Sequence, residues 1–294
     1  MSPSIPIIAG LSELAPRYDV LICDIWGVIH NGREAYPRAV DCLTQARADN
    51  KIVLLLSNAP RPCEPVKQQL ESFAVPRGCY DGVVTSGDLT QNLLAERTAN
   101  GRSFKVFHVG ADRHLPLFEG FPRVVRVALA DAQAIVCAGP FDDTKEGPED
   151  YRELWTQARA RALPLICANP DLVVQRGDQL IYCAGALGKL YEEMGGEVLY
   201  LGKPHLPVYD LVAHRLREIT GRTIDRASWL AIGDGLKTDI LGATRAGIDA
   251  LLITGGIHEP ELSDAKGAPD PNRIAQILSR DGLKAVAAMR RLLW

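Results

Sequence analysis

The chain has 294 residues, 47% of them apolar and 23% charged, with a formal net charge of −3. That is an ordinary globular composition, with chain enough for a large core and two domains. Slight acidity without a basic stripe excludes a nucleic-acid partner, and no apolar stretch approaches the roughly 20 residues that span a bilayer, so no membrane partner is expected.

The N-terminal seventeen residues, MSPSIPIIAGLSELAPR, place no basic residue ahead of their short apolar run, so they do not read as a signal peptide. From there, short apolar runs alternate with longer amphipathic ones, the pattern of βαβ units on a mainly parallel sheet. The first strand is expected over residues 20–25, ending in Asp24-Ile25-Trp26-Gly27-Val28, and a helical period follows over 37–48. A second strand over 52–56 runs into Ser57-Asn58 and a helix over 65–73. A third covers 82–85, with Asp88 read as the N-cap of the next helix. Strands over 105–109, 134–137 and 165–168 and a helix over 151–162 fill the middle of the chain. A helix over 207–219 leads to a strand over 229–232, which ends in Gly233-Asp234-Gly235-Leu236-Lys237-Thr238-Asp239. A helix over 238–246 and a strand over 250–253 follow, then a surface loop over 258–271 with three prolines, then a C-terminal helical pair. Strands of four to six residues without polar alternation read as buried on both faces.

The seven cysteines, at 23, 42, 63, 79, 137, 167 and 183, are odd in number and scattered, without a C-x-x-C pair. Neither disulfides nor a structural zinc is expected, and the cytoplasm is the default compartment. His30, His108, His205 and His258 show no metal-ligand spacing and read mostly as loop or surface residues. Gly185-Ala186-Leu187-Gly188-Lys189 hints at a P-loop, but Cys183 and Leu190 stand where glycine and Ser/Thr are required.

In open α/β sheets, ligands sit beyond the carboxyl ends of the strands. Asp24, Ser57 and the pair Asp234 and Asp239 follow three separate strands. At these residues the chain resembles the haloacid dehalogenase (HAD) superfamily. Asp24-x-x-Gly27-Val28 is similar to its first motif and Leu55-Leu56-Ser57-Asn58 to its second. Gly202-Lys203-Pro204 is similar to the third, and Gly233 to Asp239 to the fourth. Within the superfamily the chain resembles the NagD and p-nitrophenyl phosphatase group, in which an α/β cap is inserted between the second and third motifs. Ala168-Asn169-Pro170-Asp171 resembles that group's Thr-Asn-Pro-Asp signature, and Cys183 to Gly188 its Gly-rich turn.

The resemblance implies an α/β fold with a Rossmann-like core, residues 1–88 and 202–294, and an inserted cap, residues 89–201. It implies Mg²⁺-dependent hydrolysis of a small phosphorylated metabolite such as a sugar phosphate, with a homodimer left open. The chemistry of the residues agrees. A carboxylate at Asp24 can attack phosphorus and split one hard step into two. Crowding it against a phosphate calls for a cation, and Mg²⁺ is satisfied by one or two carboxylates plus phosphate and water oxygens. Asp24 and Asp234 are the expected direct ligands, with Asp239 either a ligand or a residue supporting one, and the resemblance adds the backbone carbonyl of Trp26. Ser57 would donate a hydrogen bond to the phosphoryl group and Lys203 would neutralise it, while Asn58, Asn169 and Asp171 would contact the substrate. One position departs. Trp26 stands where the group's acid–base aspartate belongs, and an indole cannot deliver a proton. Such acid–base help is worth about 10²–10⁴-fold. A catalytically weak protein that binds or senses a phospho-metabolite is therefore the rival reading, with His30 the first candidate for a replacement acid.

Overall fold

The computed structural model describes residues 5–177 and 179–294. In chain order the first strands are β1 (Val20–Asp24), β2 (Ile52–Ser57) and β3 (Gly82–Thr85). The middle of the chain supplies β4 (Phe104–Val109), β5 (Val124–Arg126), β6 (Ala134–Cys137), β7 (Leu165–Cys167), β8 (Val173–Arg176), β9 (Gln179–Tyr182) and β10 (Val198–Tyr200). The last are β11 (Trp229–Gly233), β12 (Asp249–Ile253) and β13 (Ala287–Met289). The helices are α1 (Pro37–Ala48), α2 (Cys63–Ser72), α3 (Ser86–Thr98), α4 (Arg152–Ala160), α5 (Ala184–Glu193), α6 (Pro207–Thr220), α7 (Leu241–Ala246), α8 (Glu259–Leu262) and α9 (Pro271–Arg280).

Six strands form one parallel sheet in the order β13-β12-β11-β1-β2-β3. Its central strands are apolar throughout because both faces are covered. Leu21, Cys23, Leu55, Leu230 and Ile232 pack with Leu43 of α1 and Leu70 of α2 on one face. Val20, Ile22, Leu54, Leu56 and Ala231 pack with Val212 and Leu216 of α6 and Ile274 of α9 on the other. The register pairs Val20 with both Ile52 and Trp229, so Asp24 lies opposite Leu56 and the strand ends are level.

A second parallel sheet, β10-β7-β6-β4-β5, is built wholly from the middle of the chain. Trp155 of α4 and Leu187 and Tyr191 of α5 cover one face, and Leu94 of α3 and Leu117 the other. Helix α3 runs across the junction expected at 88–89, and its Leu89 packs against the cores of both sheets. Strands β8 and β9 form a separate antiparallel hairpin.

Three readings are corrected. The C-terminal helical pair is one helix, α9, followed by β13, which joins the sheet edge beside β12. The expected loop at 258–271 contains the short helix α8. Asp88 is not the N-cap of α3 but its third residue, in a capping box with Thr85: the Thr85 hydroxyl accepts from Asp88 N–H, and the Asp88 carboxylate accepts from Thr85 N–H.

Candidate active site

Asp24 closes β1, and the chain then turns through Gly27 at φ +84°. A Cβ at Gly27 would lie 2.2 Å from Asp234 Oδ2, so only glycine lets the two strand ends approach this closely. Asp234 follows β11, and its Oδ2 accepts from Ile257 N–H at 2.9 Å. Asp239 sits in a wide turn, Leu236–Ile240, that delays the start of α7; its Oδ2 accepts from Gly235 N–H at 3.0 Å.

Lys203 reaches this cluster from the far side of the insertion. Its buried Nζ donates to Asp24 Oδ1 at 2.6 Å, to Asp239 Oδ1 at 2.7 Å and to the Leu56 carbonyl at 3.2 Å. Asn58 positions that lysine: its Oδ1 accepts from Lys203 N–H at 2.8 Å, and its Nδ2 donates to the Lys203 carbonyl at 3.1 Å. The same Nδ2 donates to Asp171 Oδ1 at 2.8 Å, tying the end of β2 to the inserted segment. Ser57 Oγ accepts from Ala59 N–H at 3.1 Å, and Ser57 lines the cavity.

Carboxylate oxygens of Asp24, Asp234 and Asp239 lie within 4.8 Å of one another, all buried, and one lysine cannot neutralise three such groups. Burial, then Asp239, raises the Asp24 pKa well above the usual carboxylate range, against the pull of Lys203. Burial and Asp239 likewise push Asp234 up to about 7. Burial opposes the Lys203 charge, but Asp239 and Asp24 outweigh it and hold the amine protonated. Three hard oxygen donors with surplus negative charge fit a small divalent cation such as Mg²⁺.

The cluster forms the floor of a cavity of about 830 Å³. Ser57, Asn58 and Asp171 line it beside the cluster, and Leu172, Val173, Val174 and Gln175 form the facing wall. Burial raises the Asp171 pKa, with Lys203 pulling the other way. Asn169 does not line the cavity; buried, it accepts from Asp171 N–H at 3.0 Å and shapes the turn that carries Asp171. Trp26 lines the cavity, but its indole N–H donates to the Gln175 carbonyl at 2.6 Å.

His30 is only 2% exposed and stands behind Trp26, ring edge to ring at 5.0 Å, outside the cavity lining. Its Nδ1 accepts from Gly32 N–H at 3.0 Å, and burial lowers its pKa to about 4. It is a buried, neutral packing residue rather than a loop or surface one, and not a replacement acid. His205, also read as a surface residue, lines the cavity with its ring stacked on Tyr200 at 5.7 Å. Its only sequence signal was its place two residues after Lys203.

Two family models match the chain. One described as haloacid dehalogenase-like hydrolase covers residues 21–120, and one described as HAD-hydrolase-like covers residues 200–279. A crystal structure of a haloacid dehalogenase-like hydrolase from Brucella suis is 40% identical, with a TM-score of 0.86, over 98% of this chain and 100% of that one. The D-glycerol 3-phosphate phosphatase of Mycobacterium tuberculosis is 28% identical over 84% of this chain and 66% of its own length. The ribonucleotide monophosphatase NagD of Escherichia coli is 26% identical over 85% of this chain and 92% of its own.

Proposed function

Because this chain belongs to the haloacid dehalogenase-like hydrolase family, we propose that it is a Mg²⁺-dependent phosphatase of a small phosphorylated metabolite. The observation that carries this reading is the buried trio of Asp24, Asp234 and Asp239 beyond the ends of adjacent strands, with Lys203 bonded to Asp24 and Asp239. Asp24, Asp234, Asp239 and the backbone carbonyl of Trp26 would hold the ion. When bound, Mg²⁺ supplies charge neutralisation at the phosphoryl oxygens.

The chain's own residues do the rest. Lys203 holds one oxygen of Asp24 and leaves the other to attack phosphorus. A bond forms from Asp24 to phosphorus, the ester bond breaks, and its electron pair departs with the leaving oxygen. Ser57 donates a hydrogen bond to the phosphoryl group, and the Lys203 charge stabilises the transition state. Water then attacks phosphorus, releasing phosphate and restoring Asp24. Residues 89–201 act as the cap, whose apolar wall of Leu172, Val173 and Val174 excludes bulk water.

No protonated group stands at position 26, so leaving groups that are stable as anions are favoured. Phosphate release from p-nitrophenyl phosphate, acetyl phosphate and glycerol phosphate, with and without Mg²⁺, tests the proposal. Turnover of the first two should exceed that of the alkyl ester by about 10²-fold or more. Asp24→Asn should abolish all three. Brisk hydrolysis of the alkyl ester would overturn the leaving-group preference. Absence of turnover with all three, together with Mg²⁺-dependent phosphate binding, would favour the second reading, a phospho-metabolite sensor, for which Trp26 is the supporting observation.

A further inference from the structure

We propose that Trp26 is a positioning residue, the latch that holds the β8–β9 hairpin closed over the cavity. The hairpin belongs to neither parallel sheet; its strands pair with each other. Its apolar hold rests on Ile181, which is buried, while Leu180 is 66% exposed and Tyr182 is exposed as well. At the turn end of β8, Arg176 pairs with Asp143 of the cap at 2.8 Å, and at the hairpin's base Cys183 N–H donates to the Leu172 carbonyl at 3.0 Å. Toward the core, two bonds among the described residues tie it to the loop after β1. Trp26 Nε1–H donates to the Gln175 carbonyl at 2.6 Å, and Gly177 N–H donates to the Asn31 carbonyl at 3.3 Å.

The core side of this latch is held by residues of the loop after β1. Gly32, at φ +83°, turns the chain beneath the indole, and a Cβ there would lie 2.4 Å from Trp26 Cζ2. The indole therefore lies in a slot that only glycine leaves open, with the His30 ring edge-on beside it. His30 is itself fixed by the N–H of Gly32. Glycine below and imidazole beside fix the plane of the indole, and its one donor then points at the hairpin backbone. An aspartate at this position is shorter than the indole and, when ionised, has no donor to offer the Gln175 carbonyl. A proton donor to the substrate and a donor to the hairpin are thus alternative uses of one position, and this chain takes the second. Because Val173, Val174 and Gln175 line the cavity, closing the latch also sets the wall against which the leaving group rests.

One hydrogen bond of this kind shifts an open–closed equilibrium by about fivefold. The test is hydrogen–deuterium exchange on the full-length chain without metal or substrate, comparing wild type with Trp26→Phe. A second variant carries benzothienylalanine at position 26, which keeps the bicyclic shape and lacks the N–H. Backbone exchange in peptides covering Val173–Arg176 should quicken about fivefold in both variants, with β1, β2 and β11 unchanged. With p-nitrophenyl phosphate, KM should rise by a similar factor while kcat changes less. Unchanged hairpin exchange in the benzothienylalanine variant would overturn the proposal. So would equal acceleration in β1 and β2, which would mean that the ring only fills space. The exchange readout needs no turnover, so a failure of the phosphatase reading is distinguishable from a failure of the latch.

Discussion

Lys203 is the residue on which the charge balance of the site turns. Its amine is 4% exposed and bonded to two buried carboxylates, so truncating it leaves uncompensated charge in the interior. Lys203→Met should cost about 3–5 kcal/mol at neutral pH, as for other broken buried pairs. Urea denaturation would measure it, and the loss should shrink at pH 5, where the orphaned carboxyls take up protons. Asp234 gives a second, pH-dependent expectation. Its folded pKa of about 7 lies above the ordinary value of 3.8, so the folded state binds the extra proton between those limits. Stability from this group is complete below about pH 4 and is lost as pH rises through 7. A cation between Asp24 and Asp234 removes that loss, so thermal stabilisation by Mg²⁺ should be larger at pH 8 than at pH 5.5. Equal stabilisation at the two pH values, or full stabilisation of Asp234→Asn, would place the ion elsewhere.

At the scale of single elements, the N-terminus of α3 joins two helices through one side chain. Asp88 Oδ2 accepts from Thr85 N–H at 2.9 Å, and its Oδ1 accepts from Cys63 N–H, also at 2.9 Å, at the start of α2. Asp88→Ala removes both acceptors and should cost about 2 kcal/mol, roughly one for the cap and one for the second orphaned donor. The loss should appear in chemical denaturation, with kcat for p-nitrophenyl phosphate little changed because Asp88 lies outside the cavity lining. A fall in kcat larger than about tenfold would mean that α3 transmits its position to the site. The helix is placed to do so, since Ser86 Oγ donates to Asn58 Oδ1 at 3.3 Å.

Across the whole molecule, polar ties run from the first sheet's strand-end loops to the inserted segment, from Asn58 to Asp171 in the loop after β7 and from Trp26 to Gln175 of the hairpin. Removing both ties, in an Asp171→Ala and Trp26→Phe double variant, should enlarge the radius of gyration measured by X-ray scattering. An unchanged radius would show that apolar packing along α3 suffices to hold the two sheets together. How much of this was legible beforehand follows from the kind of order each part has. Strands β1, β2 and β11 are covered on both faces, so they read as continuous apolar runs, and the residues of the site end them or follow them directly. Asp24, Ser57 and Asp234 could be named from that local pattern. The hairpin β8–β9 is half-exposed, its apolar runs Leu172–Val174 and Leu180–Tyr182 only three residues long, and β13 is three small or flexible residues at a sheet edge. Their strand character comes from their neighbours. The burial of His30 and the choice of Gln175 as partner for Trp26 were equally out of reach, whereas the meeting of Lys203 with Asp24 across 179 positions was expected only through the resemblance of its motif. Apolar periodicity reports how deeply an element is buried, and a strand end marks where polar groups emerge. Which loops then face one another depends on packing between distant elements, and that only the tertiary structure decided.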